Sequence, residues 1–371
     1  MKKRLLLRNH LFFLLFIIGT SGLKAQEPTI PIIPRHYVCY RASEPIVIDG
    51  KLNKKDWKNA LWTEDFVDIE GSLKSLPRLK TRAKMLWDDN YLYIAAYLEE
   101  PHIWGTLTER ESVVYNDPDF EIFIDPDGDT HNYAELEINA LNTQWDLLLT
   151  KPYRDDANNV AINNWNYNGM KSAVHLMGTI NNPCDIDTAW CVEVALPLSA
   201  LAELSERDKK PVNGQQYRIN FSRVEWDVDV VDGRYVKRST TINGKKVSLP
   251  ENNWVWSPQG VIAMHQPETW GFLQFSDKIV GAGTDNYLPD PDNDIKWALR
   301  MVYYRQYSYF KKNKSYATDM KSLGLEDYKI DGTPFSPAIM VTTSTYEATC
   351  KAHDGKSVWH ILQDGKIWKG I

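Results

Sequence analysis

The sequence predicts a mainly β protein, an antiparallel β-sandwich resembling a jelly roll, with a small α+β appendage at its C-terminal end. Short apolar stretches separated by turn residues recur through residues 40–277, with little helical periodicity. The fourteen Trp and nineteen Tyr residues are typical of a β-rich core. After Asp277 the pattern changes to a segment rich in Gly, Asp and Pro, which predicts a linker over residues 278–294.

Residues 1–25 have the pattern of a signal peptide. A basic start is followed by the apolar run Leu11–Gly19 and by the small-residue cleavage pattern Leu23-Lys24-Ala25. The run is short for a membrane span, and we expect no membrane insertion and no lipid anchor. The protein is therefore expected to be exported, either periplasmic or secreted. The remaining residues, about 345, suit one large domain and one smaller domain.

The charge of the chain excludes some partners. The sequence has 43 basic and 49 acidic residues, and residues 1–25 hold five of the basic residues and none of the acidic ones. Removal of that segment leaves a formal net charge of −11. Because phosphate groups attract the opposite charge, a nucleic-acid partner is not expected. The sequence does not determine the oligomeric state.

The elements of the sandwich follow in order. Residues 26–39, rich in Pro, predict an extended lead-in. Residues 46–50 predict a short strand and turn, and residues 53–61 predict a helix with Asn53 as its N-cap. Further strands are predicted at 83–86, 91–98, 120–125, 133–140, 144–149, 172–180, 190–196, 217–224 and 270–275.

The predicted appendage covers residues 295–371. Apolar residues at helical spacing predict a helix over residues 295–312. A second, shorter helix is predicted at 318–323, followed by strands near 338–346 and 357–362.

Residues 117–139 predict a polar sheet face as well as a pair of strands. Phe120, Ile122 and Ile124 alternate on one strand, and Ala134, Leu136 and Ile138 alternate on the next. The opposite face of the second strand carries a phenol, two carboxylates and an amide, from Tyr133, Glu135, Glu137 and Asn139. Such a row is suited to hydrogen bonding with a polyol rather than to packing in a core.

An ordered set of short motifs indicates a family. These motifs are Ile48-Asp49-Gly50-Lys51-Leu52 with Trp57, Leu86-Trp87-Asp88-Asp89-Asn90-Tyr91-Leu92-Tyr93, Phe120-Glu121-Ile122-Phe123-Ile124-Asp125, Trp190-Cys191-Val192-Glu193-Val194-Ala195-Leu196-Pro197, Arg218-Ile219-Asn220-Phe221, Trp256-Ser257-Pro258 and Pro267-Glu268-Thr269-Trp270-Gly271. In this order, over residues 40–276, the chain resembles carbohydrate-binding module family 9 in its broader, family-9-like form. The resemblance implies a β-sandwich that binds sugars, typically chain ends, between two facing aromatic side chains.

The resemblance also implies individual sugar contacts. Tyr115 falls where the family has a stacking tryptophan, and Glu121 matches a sugar-binding glutamate. Asn139 matches an adjacent asparagine, whereas Glu137 stands where the family has an arginine. The protein is then expected to bind a carbohydrate ligand and to serve polysaccharide breakdown.

The second stacking position departs from the family pattern. Met264, next to His265, replaces the second tryptophan. Trp104 and Trp256 are alternative stacking platforms, and packing in the core is the competing interpretation for both.

Two further features have a functional and a structural interpretation. Asp125, Asp127 and Asp129 offer closely spaced oxygens that suit calcium, or they form a solvated acidic turn. Cys184 and Cys191 flank a short acidic segment and are candidates for a disulfide, although four cysteines allow three pairings.

Three other functions remain open from the sequence. Glu121 and Glu137 can be interpreted as the catalytic pair of a glycan hydrolase, since glycoside cleavage uses a pair of carboxyl groups. His265 with Met264 or Met170 can be combined into a haem site, and the sandwich can serve as a scaffold alone. The sequence contains no Gly-rich phosphate loop, nucleophile elbow or HExxH motif.

Overall fold

The computed structural model of the protein describes residues 25–154, 159–205 and 210–370. The predicted signal peptide, apart from Ala25, lies outside these residues. Strands dominate the described part of the chain, and the longest helix lies near the C-terminal end. The prediction of a mainly β fold is therefore confirmed.

Seventeen strands precede the long helix in the described residues. They are β1 (His36–Arg41), β2 (Val67–Asp68), β3 (Thr81–Trp87), β4 (Tyr91–Glu99), β5 (Asp119–Asp125), β6 (Tyr133–Asn139), β7 (Gln144–Leu149), β8 (Ala161–Ile162), β9 (Lys171–Met177), β10 (Ala189–Pro197), β11 (Gln216–Glu225), β12 (Val228–Val231), β13 (Arg234–Lys237), β14 (Ser239–Ile242), β15 (Lys245–Ser248), β16 (Asn252–Val255) and β17 (Gly271–Ile279). Two short helices lie between them, α1 (Lys55–Asn59) and α2 (Leu198–Leu201), together with 3-10 turns at Gly71–Leu73, Val114–Asn116, Ala202–Leu204 and Pro267–Thr269.

One thirteen-stranded sheet forms the sandwich. Its main path runs β8-β7-β6-β5-β11-β17-β1-β3-β4-β10-β9; β16 also pairs with β11, and β2 pairs with β16. β1 runs parallel to both of its neighbours, β17 and β3, and the other pairs in this sheet are antiparallel. The sheet is therefore mixed, and β1 is the strand that connects its two halves.

The two halves of the sheet enclose the main core. Buried residues of β5 and β6, such as Ile122 and Leu136, belong to the same cluster as Ile94 of β4 and Val192 of β10. All six alternating residues predicted from residues 120–138 lie in this cluster. The side chains on the opposite face of β5, β6 and β7 lie outside this cluster.

The predicted strand at residues 46–50 is wrong, because these residues form a loop. The main-chain N–H groups of Asp49 and Gly50 donate to the carboxylate of Glu193 on β10 instead of to a neighbouring strand. A Cβ atom on Gly50, which has a φ of +79°, would lie 2.7 Å from the backbone of Val174 and His175. The motif therefore needs glycine there, because the loop packs directly on β9.

The tail forms its own small layer of helix and sheet. It contains α3 (Asn293–Asn313), the pair β18 (Lys329–Ile330) and β19 (Thr333–Pro334), and a four-stranded antiparallel sheet of β20 (Ala338–Val341), β21 (Tyr346–Lys351), β22 (Val358–Leu362) and β23 (Ile367–Gly370). Apolar residues of α3 pack against β21 and β22 in a second core cluster. The helix predicted at 318–323 is a series of turns, because Asp319 accepts hydrogen bonds from the N–H and hydroxyl of Ser322 and so stabilises a turn locally.

Buried polar contacts join the tail to the sandwich. Glu268, next to β17, accepts a hydrogen bond from Arg154 at 2.5 Å and another from Tyr304 of α3 at 2.7 Å. Arg300 of α3 lies 4.0 Å from the same carboxylate. Glu27 pairs with Arg305 at 2.9 Å, so the first described residues also lie against α3.

Candidate functional site

Four acidic side chains form a row on the outer face of β5 and β6. Asp119 and Glu121 come from β5, and Glu135 and Glu137 come from β6, where Glu121 and Glu137 are register partners. Each points away from the main core because each alternates with a core residue. Carboxylate oxygens of Asp119, Glu121 and Glu137 lie within 4.8 Å of one another. We call these four residues the acidic floor.

The acidic floor is buried and carries few compensating contacts. Glu137 is 1% exposed, and its Oε2 accepts the N–H of Tyr115 at 2.9 Å. Burial raises the pKa of Glu121 to about 7 and that of Glu135 to about 8. Burial, followed by the charges of neighbouring carboxylates, raises the pKa of Asp119 and Glu137 well above the usual range. The floor therefore holds protons, or needs a cation, at neutral pH.

Aromatic side chains surround the floor. Tyr115 is 41% exposed, and its ring lies 6.4 Å from that of Trp145, the register partner of Glu137 on β7. Half-buried Tyr153 packs edge-on to His265 at 4.7 Å. Burial, with the charges of Glu135 and Glu137, raises the pKa of Tyr153 to about 12. Tyr115 and Tyr153 thus both lie beside the acidic floor.

His265 packs among the aromatic side chains around the floor, and both of its ring nitrogens lie near other polar side chains. Its Nδ1 lies 2.9 Å from the hydroxyl of Tyr133, and its Nε2 lies 3.9 Å from Glu135. Burial lowers the pKa of His265 to about 3, so the ring is neutral at pH 7. Met264 packs beside it in the cluster that contains Phe123 and Trp270.

A sequence model of the family described as carbohydrate family 9 binding domain-like matches residues 48–239, about half of the chain. The chain belongs to this family. The matched segment contains both strands of the acidic floor and the loop that carries Tyr115. Family 9 membership thus confirms the resemblance found in the sequence.

The chain is also similar to parts or all of three known proteins. A curated relative, endo-1,4-beta-xylanase C of Paenibacillus barcinonensis, is 32% identical over 89 residues, which are 24% of this chain and 7% of that protein. A family 9 module from Caldicellulosiruptor kristjanssonii in complex with cellotriose is 19% identical and has a TM-score of 0.41, covering 68% of this chain and all of that one. A candidate carbohydrate-binding protein from Bacteroides uniformis is 13% identical and has a TM-score of 0.46, covering 65% and 99%. The chain therefore spans only a small part of the length of the xylanase.

The family-derived site residues do not all reach the floor. Tyr115 contacts Glu137, which is the register partner of Glu121, and His265 lies 3.9 Å from Glu135. Met264 packs against the neighbouring cluster of Phe123 and Trp270, and no contact among the described residues joins it to the floor. Asn139 is fully buried, and its side chain donates to the carbonyl of Leu107 and to Asp117 and accepts from two N–H groups of the next turn. Its position therefore fits a residue that holds the loop before β5.

Neither of the two alternative tryptophans presents a ring face to solvent. Trp104 packs with Val224 and Trp226. Trp256 lies in the main core, and its Nε1 donates to Glu64 at 3.1 Å. Both positions fit packing residues.

Sequence reasoning missed Asp119, Trp145 and Tyr153. The alternation of β5 and β7 places Asp119 and Trp145 on the polar face, so the pattern contained that signal. Tyr153 follows β7 in a loop, and no periodicity predicts where a loop side chain points.

The acidic turn after β5 has structural contacts of its own. Asp125 is buried and accepts the N–H groups of Gly128 and Thr130, both at 2.9 Å. Asp129 accepts the N–H of His131 and pairs with Lys366 at 3.3 Å. Carboxylate oxygens of Asp125, Asp127 and Asp129 nevertheless lie within 4.8 Å of one another, so calcium binding at this turn stays a prediction.

The predicted disulfide is not formed, because Cys184 and Cys191 are both free. Cys191 is buried within β10 opposite His175 and Tyr97, whereas Cys184 is exposed in the preceding loop. Across the described residues, no helix is both long and apolar enough to cross a membrane.

Proposed function

We propose that the protein is an exported carbohydrate-binding module that binds a sugar over the acidic floor. The observation that carries this proposal is a row of polar side chains, on the sheet face opposite the core, beside two partly exposed tyrosines. Membership of family 9 supports it. The stretch shared with an endo-1,4-beta-xylanase favours a role beside enzymes of polysaccharide breakdown.

The binding is non-covalent. The rings of Tyr115 and Tyr153 cover the apolar C–H face of a sugar ring, which removes apolar surface from water. Carboxyl groups of Glu121 and Glu137 hydrogen-bond to the sugar hydroxyls, and each such bond contributes about 1 kcal/mol net. Carboxyl oxygens accept hydrogen bonds from hydroxyl groups in either protonation state, so the floor suits recognition of hydroxyl groups.

A glycan array followed by calorimetry tests the proposal. Tyr115→Ala and Tyr153→Ala are each expected to weaken binding of the best array ligand at least tenfold, equivalent to about 1.4 kcal/mol. The main-chain bonds of Tyr115 to Glu137 and Trp226 do not use its side chain, so the loop is retained in the variant.

Tyr97→Ala is the matched control. Tyr97 is a partly exposed tyrosine on β4, in the other half of the sheet, and its loss should leave binding unchanged. Equal affinity of Tyr115→Ala, Tyr153→Ala and the unaltered protein would contradict this site, and a blank array would contradict the function.

A further inference from the structure

We propose that the acidic floor is a divalent cation site, suited to calcium, formed by Asp119, Glu121 and Glu137. The cation site stands on the contacts of these residues alone. Only the final step, in which the ion also binds sugar hydroxyls, rests on the proposed function.

The first argument is the excess of negative charge. Asp119, Glu121 and Glu137 are 0%, 5% and 1% exposed, and their carboxylate oxygens lie within 4.8 Å of one another. The neighbouring amine of Lys237 lies 3.3 Å from the ring of Trp226, and burial lowers its pKa to about 8. Buried charges are paired or coordinate metals in folded proteins, and the amine of Lys237 is held on the indole.

The second argument is an unsatisfied ligand atom. Asp119 is 0% exposed, and its Oδ2 has no hydrogen-bond partner among the described residues. Its Oδ1 accepts the N–H of Val224 at 3.3 Å. Because a buried oxygen without a partner is costly, this carboxylate indicates a bound ion beside it.

The third argument is size. Calcium binds oxygens at 2.3–2.6 Å, so one ion contacts oxygens that are up to about 5 Å apart. The three carboxylates meet that limit, since their ligand oxygens lie within 4.8 Å of one another. Magnesium demands near-ideal octahedral geometry, whereas calcium accepts a flexible arrangement of oxygens.

The coordination sphere explains how the ion would take part in binding. Calcium takes 6–8 oxygen ligands, and three carboxylates leave positions for water or for vicinal sugar hydroxyls. A calcium ion also offsets the negative charge of the buried carboxylates at the floor.

Calorimetric titration of calcium chloride into the chelator-treated full chain tests the site without any sugar. Asp119→Asn and Glu137→Gln keep the shape of each side chain and should each weaken calcium binding at this site at least tenfold. Asp127→Asn, in the acidic turn after β5, is the matched control and should leave this binding event unchanged.

Thermal unfolding gives a second readout. Calcium should raise the Tm of the unaltered protein, since it binds the folded state. In chelator, Glu137→Gln should have a higher Tm than the unaltered protein, because it removes one of several buried like charges. Added calcium should not give Glu137→Gln the rise in Tm that it still gives Asp127→Asn. No calcium binding by the unaltered protein, or a loss confined to Asp127→Asn, would overturn the inference.

The outcomes for sugar and cation are separable. Tyr115→Ala should lose glycan binding and keep calcium binding. Glycan binding that persists in chelator, with no heat of calcium binding, would refute the cation site and leave the proposed function intact. Calcium binding together with a blank glycan array would refute the proposed function and leave the cation site intact.

Discussion

Replacing Glu193 by alanine is expected to lower the free energy of unfolding by about 3–5 kcal/mol, the usual cost of removing one partner of a buried ion pair. Its carboxylate is fully buried and accepts the N–H of Gly50 at 2.7 Å and the indole N–H of Trp57 at 2.6 Å. Lys54 pairs with it at 2.6 Å. The variant would leave buried donors without their acceptor, and urea unfolding followed by tryptophan fluorescence measures the loss.

The control for this prediction is Asp49→Ala. Asp49 also pairs with Lys54, but it is exposed, and exposed ion pairs contribute about 1 kcal/mol or less. Glu193→Gln keeps an acceptor, so its loss in the free energy of unfolding should lie between the losses of Glu193→Ala and Asp49→Ala. If Glu193→Ala lowers the free energy of unfolding no more than Asp49→Ala does, the buried contacts of Glu193 do not stabilise the fold as expected.

Replacing Glu268 by alanine is expected to have an effect of similar size, about 3–5 kcal/mol, at the junction of sandwich and tail. The side chain is 6% exposed and pairs with Arg154, and Tyr304 of α3 donates to it. Its loss removes the carboxylate that neutralises two buried guanidinium groups, those of Arg154 and Arg300. Hydrogen exchange of α3, measured by mass spectrometry, should then rise more than exchange of β10.

The same carboxylate predicts a pH dependence. Burial opposes ionisation of Glu268, but Arg154 and Arg300 outweigh it and lower the pKa to about 2. A lowered pKa in the folded state stabilises the protein above the ordinary value of 4.5, and this stability is lost as the pH falls from about 4.5 towards 2. Glu268→Gln should be less stable at pH 6 and lose less between pH 6 and pH 3. Parallel pH profiles of the urea midpoint in the two proteins would contradict this assignment.

The strands around the site were predictable because their alternation is strict. Phe120, Ile122 and Ile124 fit the core face of β5, and the structure places them there. The hairpins β12–β13 and β14–β15 were missed, although Asp232-Gly233 and Asn243-Gly244 are strong turn signals. Both turns have positive φ at these residues, as that turn type requires. The strands themselves have only four residues each and are largely exposed, so periodicity alone could not indicate them.

The acidic floor was predictable from the sequence, but the aromatic side chains and the histidine around it were not. Alternation along β6 put Glu135 and Glu137 on the polar face, where the structure has them. Alternation also put Asn139 there, yet its amide is used by the neighbouring loop, a contact that pattern cannot show. Tyr153 and His265 are distant in sequence and meet only because the fold brings two loops together.

The position of β1 determines when the sandwich can be completed during synthesis. β1 pairs with β17, whose first partner residue, Phe272, lies more than 200 residues after His36. Pairings of such long sequence separation form slowly, because the chain must close a large loop first. Until residue 279 has been made, β1 has a free edge and the two halves of the sheet are not joined. Nascent chains that end before β17 should therefore depend on chaperones to avoid pairing edge to edge.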